Sequence, residues 1–340
     1  MNGKLPQGRF INNNDRRKIM ESKPRQQLRR ALNDRAQWPL ISPGIFGAGA
    51  ARLAGAAGFP MLIVSGFGVS AMMLGRADAG YLTLTELAYA VSQITKVTST
   101  PVLVDADTGF GNALGVMRTV EELTCAGASA LFFEDQVAPK KCGHMAGKMV
   151  VPAEEFAGKI RAAHHVRQQL DPDLILVARS DSRGAVGGSL EELLHRGKMY
   201  RDAGADVFFP EGLTSTEELE VCGKEVGLPM LYNMAGFSPR LPAEALAKLN
   251  VFIVALPGIF LQSAFKGLYD ALNEIAKNGL EAAWRLEDAL GDHPVTMIQK
   301  FVGFPEIRKL EEEYLPTAEL LARYESNTVG YRFDSSEEKR

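Results

Sequence analysis

The stretch that decides the fold is residues 101–135, PVLVDADTGFGNALGVMRTVEELTCAGASALFFED. It opens with an apolar run ending in acids, Pro101-Val-Leu-Val-Asp105-Ala-Asp107. The turn Thr108-Gly-Phe-Gly111 follows, then a helical pattern from about Leu114 to Ala126, then a second apolar run, Ala130 to Asp135. Near-continuous apolar runs are expected of strands covered by helices on a parallel sheet, and this order predicts one βαβ unit. Between helix and strand stands Ala126-Gly127-Ala128, and the same element recurs as Ala57-Gly58-Phe59 and Ala203-Gly204-Ala205. Each places glycine where a helix ends in the left-handed conformation before the next strand.

Working outward, the alternation repeats. Apolar runs begin at Leu40, Met61, Pro101, Ala130, Leu174, Asp206, Pro229 and Val251, with helical patterns between them. Eight strands alternating with helices predict an α/β fold, a (β/α)8 TIM-type barrel. The runner-up, a doubly wound open sheet, lacks the Gly-x-Gly-x-x-Gly fingerprint after its first strand in the dinucleotide version. Residues 21–325 are read as one barrel domain with a C-terminal helical extension, flanked by a flexible arm (1–20) and a tail (326–340). In the extension, helical pattern runs from about Ile259 to Arg323, more than a barrel needs. The surplus is expected to cap the barrel or to be swapped between subunits, giving a homo-oligomer (a dimer of dimers).

The chain has 340 residues, 46% hydrophobic and 23% charged, with a net charge of −3. Nothing in that balance calls for nucleic acid or an anionic membrane as partner. Three cysteines in such a length form no disulfide framework and have no zinc spacing, so a reducing cytoplasm is expected. No apolar run approaches ~18 residues, and no signal-peptide core is read. The first 35 residues carry ten Lys/Arg against three Asp/Glu, read as an arm rather than a transit peptide. Cys125 and Cys222 follow apolar helix patterns and are expected in the core; His164 and His165, beside Arg161 and Arg167, are expected on the surface.

Polar residues gather at the C-terminal ends of the strands: Ser65, Asp105, Asp107, Glu134, Arg179, Glu211 and Asn233. Barrel enzymes hold their catalytic groups on that face. Asp105 and Asp107, two apart, are expected to leave the same side of their strand, with Glu134 next door. Like charges so close require a cation, and hard oxygen donors without Cys or His favour Mg2+, with Mn2+ as the alternative. Arg179 suits a substrate carboxylate, gripped by two hydrogen bonds, or pairs with Glu211. Asn233 donates to a substrate oxygen or satisfies its strand end. The loop Lys140-Lys-Cys142-Gly143-His144-Met145 sets a cysteine among cations, where the thiolate should be favoured and proton exchange near neutral pH follows. His144 either positions Cys142 or contacts the substrate.

Lys140-Lys-Cys-Gly-His144, Val104-Asp-Ala-Asp-Thr-Gly-Phe-Gly111, Glu134-Asp-Gln136, Ala178-Arg-Ser-Asp181 and Asn233 occur in an order that resembles the isocitrate lyase/phosphoenolpyruvate mutase superfamily. Val64-Ser-Gly-Phe-Gly-Val-Ser-Ala-Met-Met-Leu-Gly75 is similar to its 2-methylisocitrate, 2,3-dimethylmalate and 2-alkylmalate lyases (the petal death protein type). The resemblance implies a Mg2+-dependent cleavage of a 2-hydroxy di- or tricarboxylate to a 2-oxo acid such as pyruvate and a second carboxylic acid. It also implies a metal-shell role for Asp78, product contacts from Ser65, Gly66 and Phe67, and Cys142 as the acid that protonates the carbanion. Lys140, His144 and Glu211 fall among its catalytic positions, and Gly143 and Asn233 among its substrate contacts.

Three departures stand out. Ile63 stands where methylisocitrate lyases carry a tyrosine, which leaves the base unassigned. Met234-Ala-Gly-Phe-Ser-Pro239 lacks the acid that follows the asparagine, and Pro257-Gly-Ile-Phe-Leu261 lacks an arginine. Together they predict a less polar far end and a malate bearing alkyl groups. A phosphonomutase reading is opposed by Lys-Cys-Gly-His, and an oxaloacetate hydrolase or decarboxylase reading by Met234. A non-catalytic metal- and carboxylate-binding barrel would tolerate loss of Cys142.

Overall fold

The computed structural model describes residues 22–291 and 295–314. Eight parallel strands close into a barrel in sequence order: Leu40–Ile45 (β1), Leu62–Val64 (β2), Val102–Asp105 (β3), Ala130–Glu134 (β4), Ile175–Ser180 (β5), Val207–Pro210 (β6), Met230–Asn233 (β7) and Val251–Leu256 (β8), with β8 back on β1. This is the expected (β/α)8 architecture. The arm 1–20 and the tail 326–340 lie outside the described residues, as does the end of the helical pattern before Arg323.

Alternation along each strand builds two cores. Ile63, Leu103, Phe132, Val177, Phe209 and Leu231 point into the barrel, while Leu62, Val64, Val104, Leu131, Phe133 and Leu176 pack beneath the surrounding helices. The inner cluster also takes Leu28, Ala31 and Leu32 from the helix Lys23–Asn33, so this helix closes the barrel at its N-terminal end. Arg25 fixes it there. Its Nε donates to Ala128 O at 2.7 Å and its Nη1 to Asp171 Oδ2 at 2.9 Å.

The glycines that signalled strand starts have the required backbone: φ is +98° at Gly127 and +106° at Gly204. A Cβ on Gly127 would lie 2.7 Å from Thr95 Oγ1, so close packing as well as conformation demands glycine. The long connection after β2 holds a short helix, Gly66–Val69, and a π-helical turn, Ser70–Leu74. Cys222 is buried as expected, but Cys125 is exposed, because the last turn of the helix Ala113–Cys125 has rotated its cysteine off the packed face. His165 is exposed as expected, but His164 is half-buried against Arg167, itself buried in an ion pair with Asp206.

The chain divides into two compact units, one up to Ala264 and one from Phe265. The described part of the second is helical: the remainder of Ile259–Asn278, then Leu280–Leu290, Ile298–Phe301 and Phe304–Tyr314. Its Phe265, Leu268, Leu272 and Trp284 are exposed. No helix among the described residues is long and apolar enough to cross a membrane.

Candidate active site

Every expected strand-end residue lies at the C-terminal mouth of the barrel. Asp105 and Glu134 are the last residues of β3 and β4, Asn233 is the last of β7, and Arg179 is paired in register with Glu134. Asp105, Asp107, Glu134, Arg179 and Glu211 are all buried. A cavity of about 240 Å3 opens onto Asp105, Arg179 and Glu211. Ser65, Phe67, Asp78, Asp105, Cys142, Gly143, His144, Arg179, Glu211 and Asn233 reach its wall, so the cysteine loop and the acids share one chamber.

Asp105 and Asp107 meet, but by a different route from strand alternation. The strand ends at Asp105, and Asp107 lies beyond it with φ +47°, in the left-handed region that side-chain-bearing residues seldom adopt. Here Asp107 N donates to Asp105 Oδ1 at 3.1 Å, and Gly66 N donates to Asp105 Oδ2 at 3.1 Å. A Cβ on Gly66 would sit 3.1 Å from Asp105 Oδ2 and 3.3 Å from Asp107 Oδ1, so glycine lets the backbone approach both acids. Lys140 bridges outward, its Nζ 2.6 Å from Asp78 Oδ1 and 2.8 Å from Asp107 Oδ1.

Burial dominates the acids' protonation. It pushes the Asp105 carboxyl up, that of Asp107 up to about 7, and that of Glu134 well above the usual range, although Lys140 or Arg179 pulls each the other way. Against the pull of burial, Glu134, Asp105, Asp107 and Asp78 hold Lys140 well above an ordinary lysine. Among the described residues no three His, Cys, Asp or Glu side chains converge as a ready-made metal cage. The donors fit an ion that retains water: they are hard oxygens in like-charge repulsion, and Glu134 Oε1 is buried without a hydrogen-bond partner.

Arg179 is held more tightly than the sequence suggested. Its Nε and Nη2 grip Asp181 at 2.9 and 3.0 Å, Glu134 Oε2 lies 3.4 Å from Nε, and Glu211 Oε2 lies 3.8 Å from Nη2. The two-toothed grip expected for a substrate is therefore spent on Asp181, two residues along. Arg179 also stacks 4.9 Å over the Phe209 ring. Burial notwithstanding, Arg179 and Lys148 hold Asp181 down to about 2. Sequence reasoning matched Asp181 without giving it this task, and it passed over Lys148, whose only signal was a cation after glycine in a polar loop.

Cys142 corrects a second expectation. Burial pushes its thiol up rather than down, outweighing the His144 amide and the charges of Lys140 and Arg179. Gly143 admits the loop to the mouth, since a Cβ there would collide with Arg179 Nη2 and sit 3.1 Å from Glu211 Cδ. Asn233 Nδ2 donates to Glu211 Oε2 at 3.1 Å and lies 3.4 Å from His144 Nε2, while its buried Oδ1 has no hydrogen-bond partner. The remaining wall is mostly apolar, with Ile63, Phe132, Phe209, Leu231, Ala255 and Pro257, and one polar side chain, Gln262.

Acids, an arginine and a thiol converging at the C-terminal mouth of the barrel stand where enzymes of this fold hold their active sites. Residues 28–276 match the phosphoenolpyruvate phosphomutase family, and the chain belongs to it, as a carbon–carbon lyase of the isocitrate lyase/phosphoenolpyruvate mutase superfamily. It is 38% identical over 295 residues to a 2-methylisocitrate lyase of Aeropyrum pernix, covering 86% of this chain and 92% of the relative. To a 2,3-dimethylmalate lyase of Eubacterium barkeri it is 37% identical over 279 residues, with 81% and 93% covered. A crystal structure of 2,3-dimethylmalate lyase superposes with a TM-score of 0.78 at 33% identity, covering 86% of this chain and 96% of that one.

Proposed function

We propose that this enzyme cleaves a 2-hydroxy acid of the alkyl-substituted malate type to a 2-oxo acid, such as pyruvate, and a second carboxylic acid. The observation that carries this reading is one cavity onto which Cys142, Arg179, Asp78, Asp105 and Glu211 open, with mostly apolar side chains over the rest of its wall. The polar half suits the hydroxy-carboxylate end. Ile63, Leu231, Ala255 and Pro257 suit alkyl groups better than a third carboxylate, whose burial there would be costly.

Asp105, Asp107, Glu134 and Asp78 would hold Mg2+ (or Mn2+) with its waters. When bound, the ion supplies Lewis-acid polarisation of the hydroxyl and carboxylate oxygens. Glu211, on the cavity wall with Arg179 3.8 Å away, takes the hydroxyl proton. The O–H electrons form the new carbonyl, the C–C bond breaks, and its pair remains on the carbon next to the other carboxylate. Arg179 offsets the charge that develops there. Cys142, kept protonated by burial, gives its proton to that carbon. Ser65, Gly66, Phe67 and Asn233 hold the departing 2-oxo acid, and Gly143 and His144 shut the chamber against water.

The exposed Phe265, Leu268, Leu272 and Trp284 support a homo-oligomer in which the C-terminal helices pack on a neighbouring subunit, measurable by light scattering. The deciding experiment is a substrate panel read by 2-oxo acid release with Mg2+ present. 2,3-Dimethylmalate and 2-alkylmalates should turn over faster than methylisocitrate, isocitrate or oxaloacetate. Release from none of them would sink the reading.

A further inference from the structure

The loop carrying Cys142 has open space on both sides. Beyond it lies a second cavity of about 280 Å3, lined by Met145, Arg183, Thr214 and Phe237 and sharing Gly143, His144 and Glu211 with the first. A thin partition between two cavities takes its position from its anchors. On the N-terminal side Gln136 exchanges hydrogen bonds with the Lys141 backbone, at 2.9 and 3.0 Å, and Lys140 binds Asp78 and Asp107. On the C-terminal side the anchor is Lys148. Its Nζ donates to the carbonyl of Gly143, the residue after Cys142, and to Asp181 Oδ1 at 3.0 Å. That same oxygen accepts from Arg179 Nη2 at 3.0 Å. The Lys148 side chain is only 3% exposed and that of Asp181 is fully buried. Asp181 is fixed in turn, its N–H donating to Asp135 Oδ1 at 2.9 Å.

We propose that Lys148 is a positioning residue, tying the Cys142 backbone to the Asp181–Arg179 pair so that thiol and guanidinium are aimed into one chamber. The consequence for turnover rests on the lyase reading; the loop anchoring does not. Lysine suits the task because one ammonium offers several donors, here to a carbonyl on the loop and a carboxylate on the barrel. An apolar replacement leaves both acceptors without that donor, and the partition is free to swing toward the outer cavity.

The test is alkylation of the full-length chain by iodoacetamide, followed at each cysteine by peptide mass spectrometry. Exposed Cys125 and buried Cys222 serve as internal references. In Lys148→Met, Cys142 should react ~10-fold faster or more, with the references unchanged, as expected for loss of a charge-assisted hydrogen bond. Removing a nearby positive charge would by itself slow alkylation, so acceleration reports loop opening. Lys148→Arg, which keeps a cation beside Asp181, should fall between. In turnover, Lys148→Met should lower kcat at least ~10-fold with KM within about twofold. An unchanged Cys142 rate overturns the proposal, as does parallel acceleration of Cys142 and Cys222, which signals loss of fold. Selective acceleration in a protein that splits no hydroxy acid upholds the anchoring and removes the lyase reading instead.

Discussion

The two ends of the barrel bury charge in opposite proportions. At the N-terminal end, Arg25, Arg29 and Arg167 meet two carboxylates, Asp171 and Asp206, and several of their remaining N–H groups reach backbone carbonyls. Around the cavity at the C-terminal mouth, Asp78, Asp105, Asp107, Glu134, Asp181 and Glu211 gather with Lys140, Lys148 and Arg179, while Asp135 and Arg196 pair just behind them. One end closes the fold with cations and carbonyls. The other crowds surplus carboxyl groups into a buried place, where burial raises them toward the protonated form, and holds one aspartate in left-handed backbone. Such an excess is costly for folding alone and makes sense where a further cation and a substrate are to be received.

The contrast can be broken most sharply at the mouth. Cys142→Ser should lower turnover by about 10^3-fold, within the range for loss of a positioned acid, while calorimetry still detects oxalate binding. Undiminished 2-oxo acid release would remove the thiol from the chemistry. At the other end, Arg25→Met should destabilise the fold by about 3–5 kcal/mol in urea unfolding, since Asp171 is left buried without its ion pair. Its KM should not move, because the helix Lys23–Asn33 closes the opposite end of the barrel from the cavity.

A finer test uses pH. The Asp107 carboxyl rises from 3.8 in the unfolded chain to about 7 in the folded one, so the folded state holds a proton that the unfolded state releases between these values. Stability of the metal-free protein should therefore fall as pH rises from about 4 to 7. Mg2+ or Mn2+ binding requires the ionised acid and should strengthen over the same interval, by up to ~10-fold per pH unit for one proton. The metal-induced rise in Tm should thus be larger at pH 7.5 than at pH 5.5, and Asp107→Ala should abolish the difference. A pH-independent rise would separate the ion from these carboxylates.

The smallest effect concerns the substrate's far end. Gly258 lines the cavity, and a Cβ there meets nothing closer than Gln262 at 3.8 Å. Gly258→Arg should shift the kcat/KM ratio toward tricarboxylates by ~10-fold, the scale of one added charge contact in a partly solvated site. No shift would place the far end of the substrate elsewhere.

The barrel was legible because each of its signals is local. Strand alternation, apolar runs and the glycines before strands act over a few residues, and Gly127 and Gly204 took the expected backbone. The positions at the mouth were legible too, since the end of a parallel strand always faces it. Partnerships across the mouth were not. Lys148 reaching Asp181, Lys140 bridging Asp78 and Asp107, and Asn233 bonding Glu211 all depend on which atoms the folded chain brings within 3 Å or so.

Protonation shows the division most clearly. From the sequence, Lys140 and Lys141 flank Cys142 and should lower its pKa; in the fold, Lys140 turns away to Asp78 and Asp107 while the thiol is drawn into a buried wall. The amino-acid order by itself determined the barrel, the face that carries the acids and the superfamily motifs. Only the tertiary structure decided which charges are paired, which are left over and how the cysteine loop is anchored. The reason is physical: strand and helix patterns are written in neighbouring residues, whereas desolvation and ion pairing depend on distances between segments far apart in the chain.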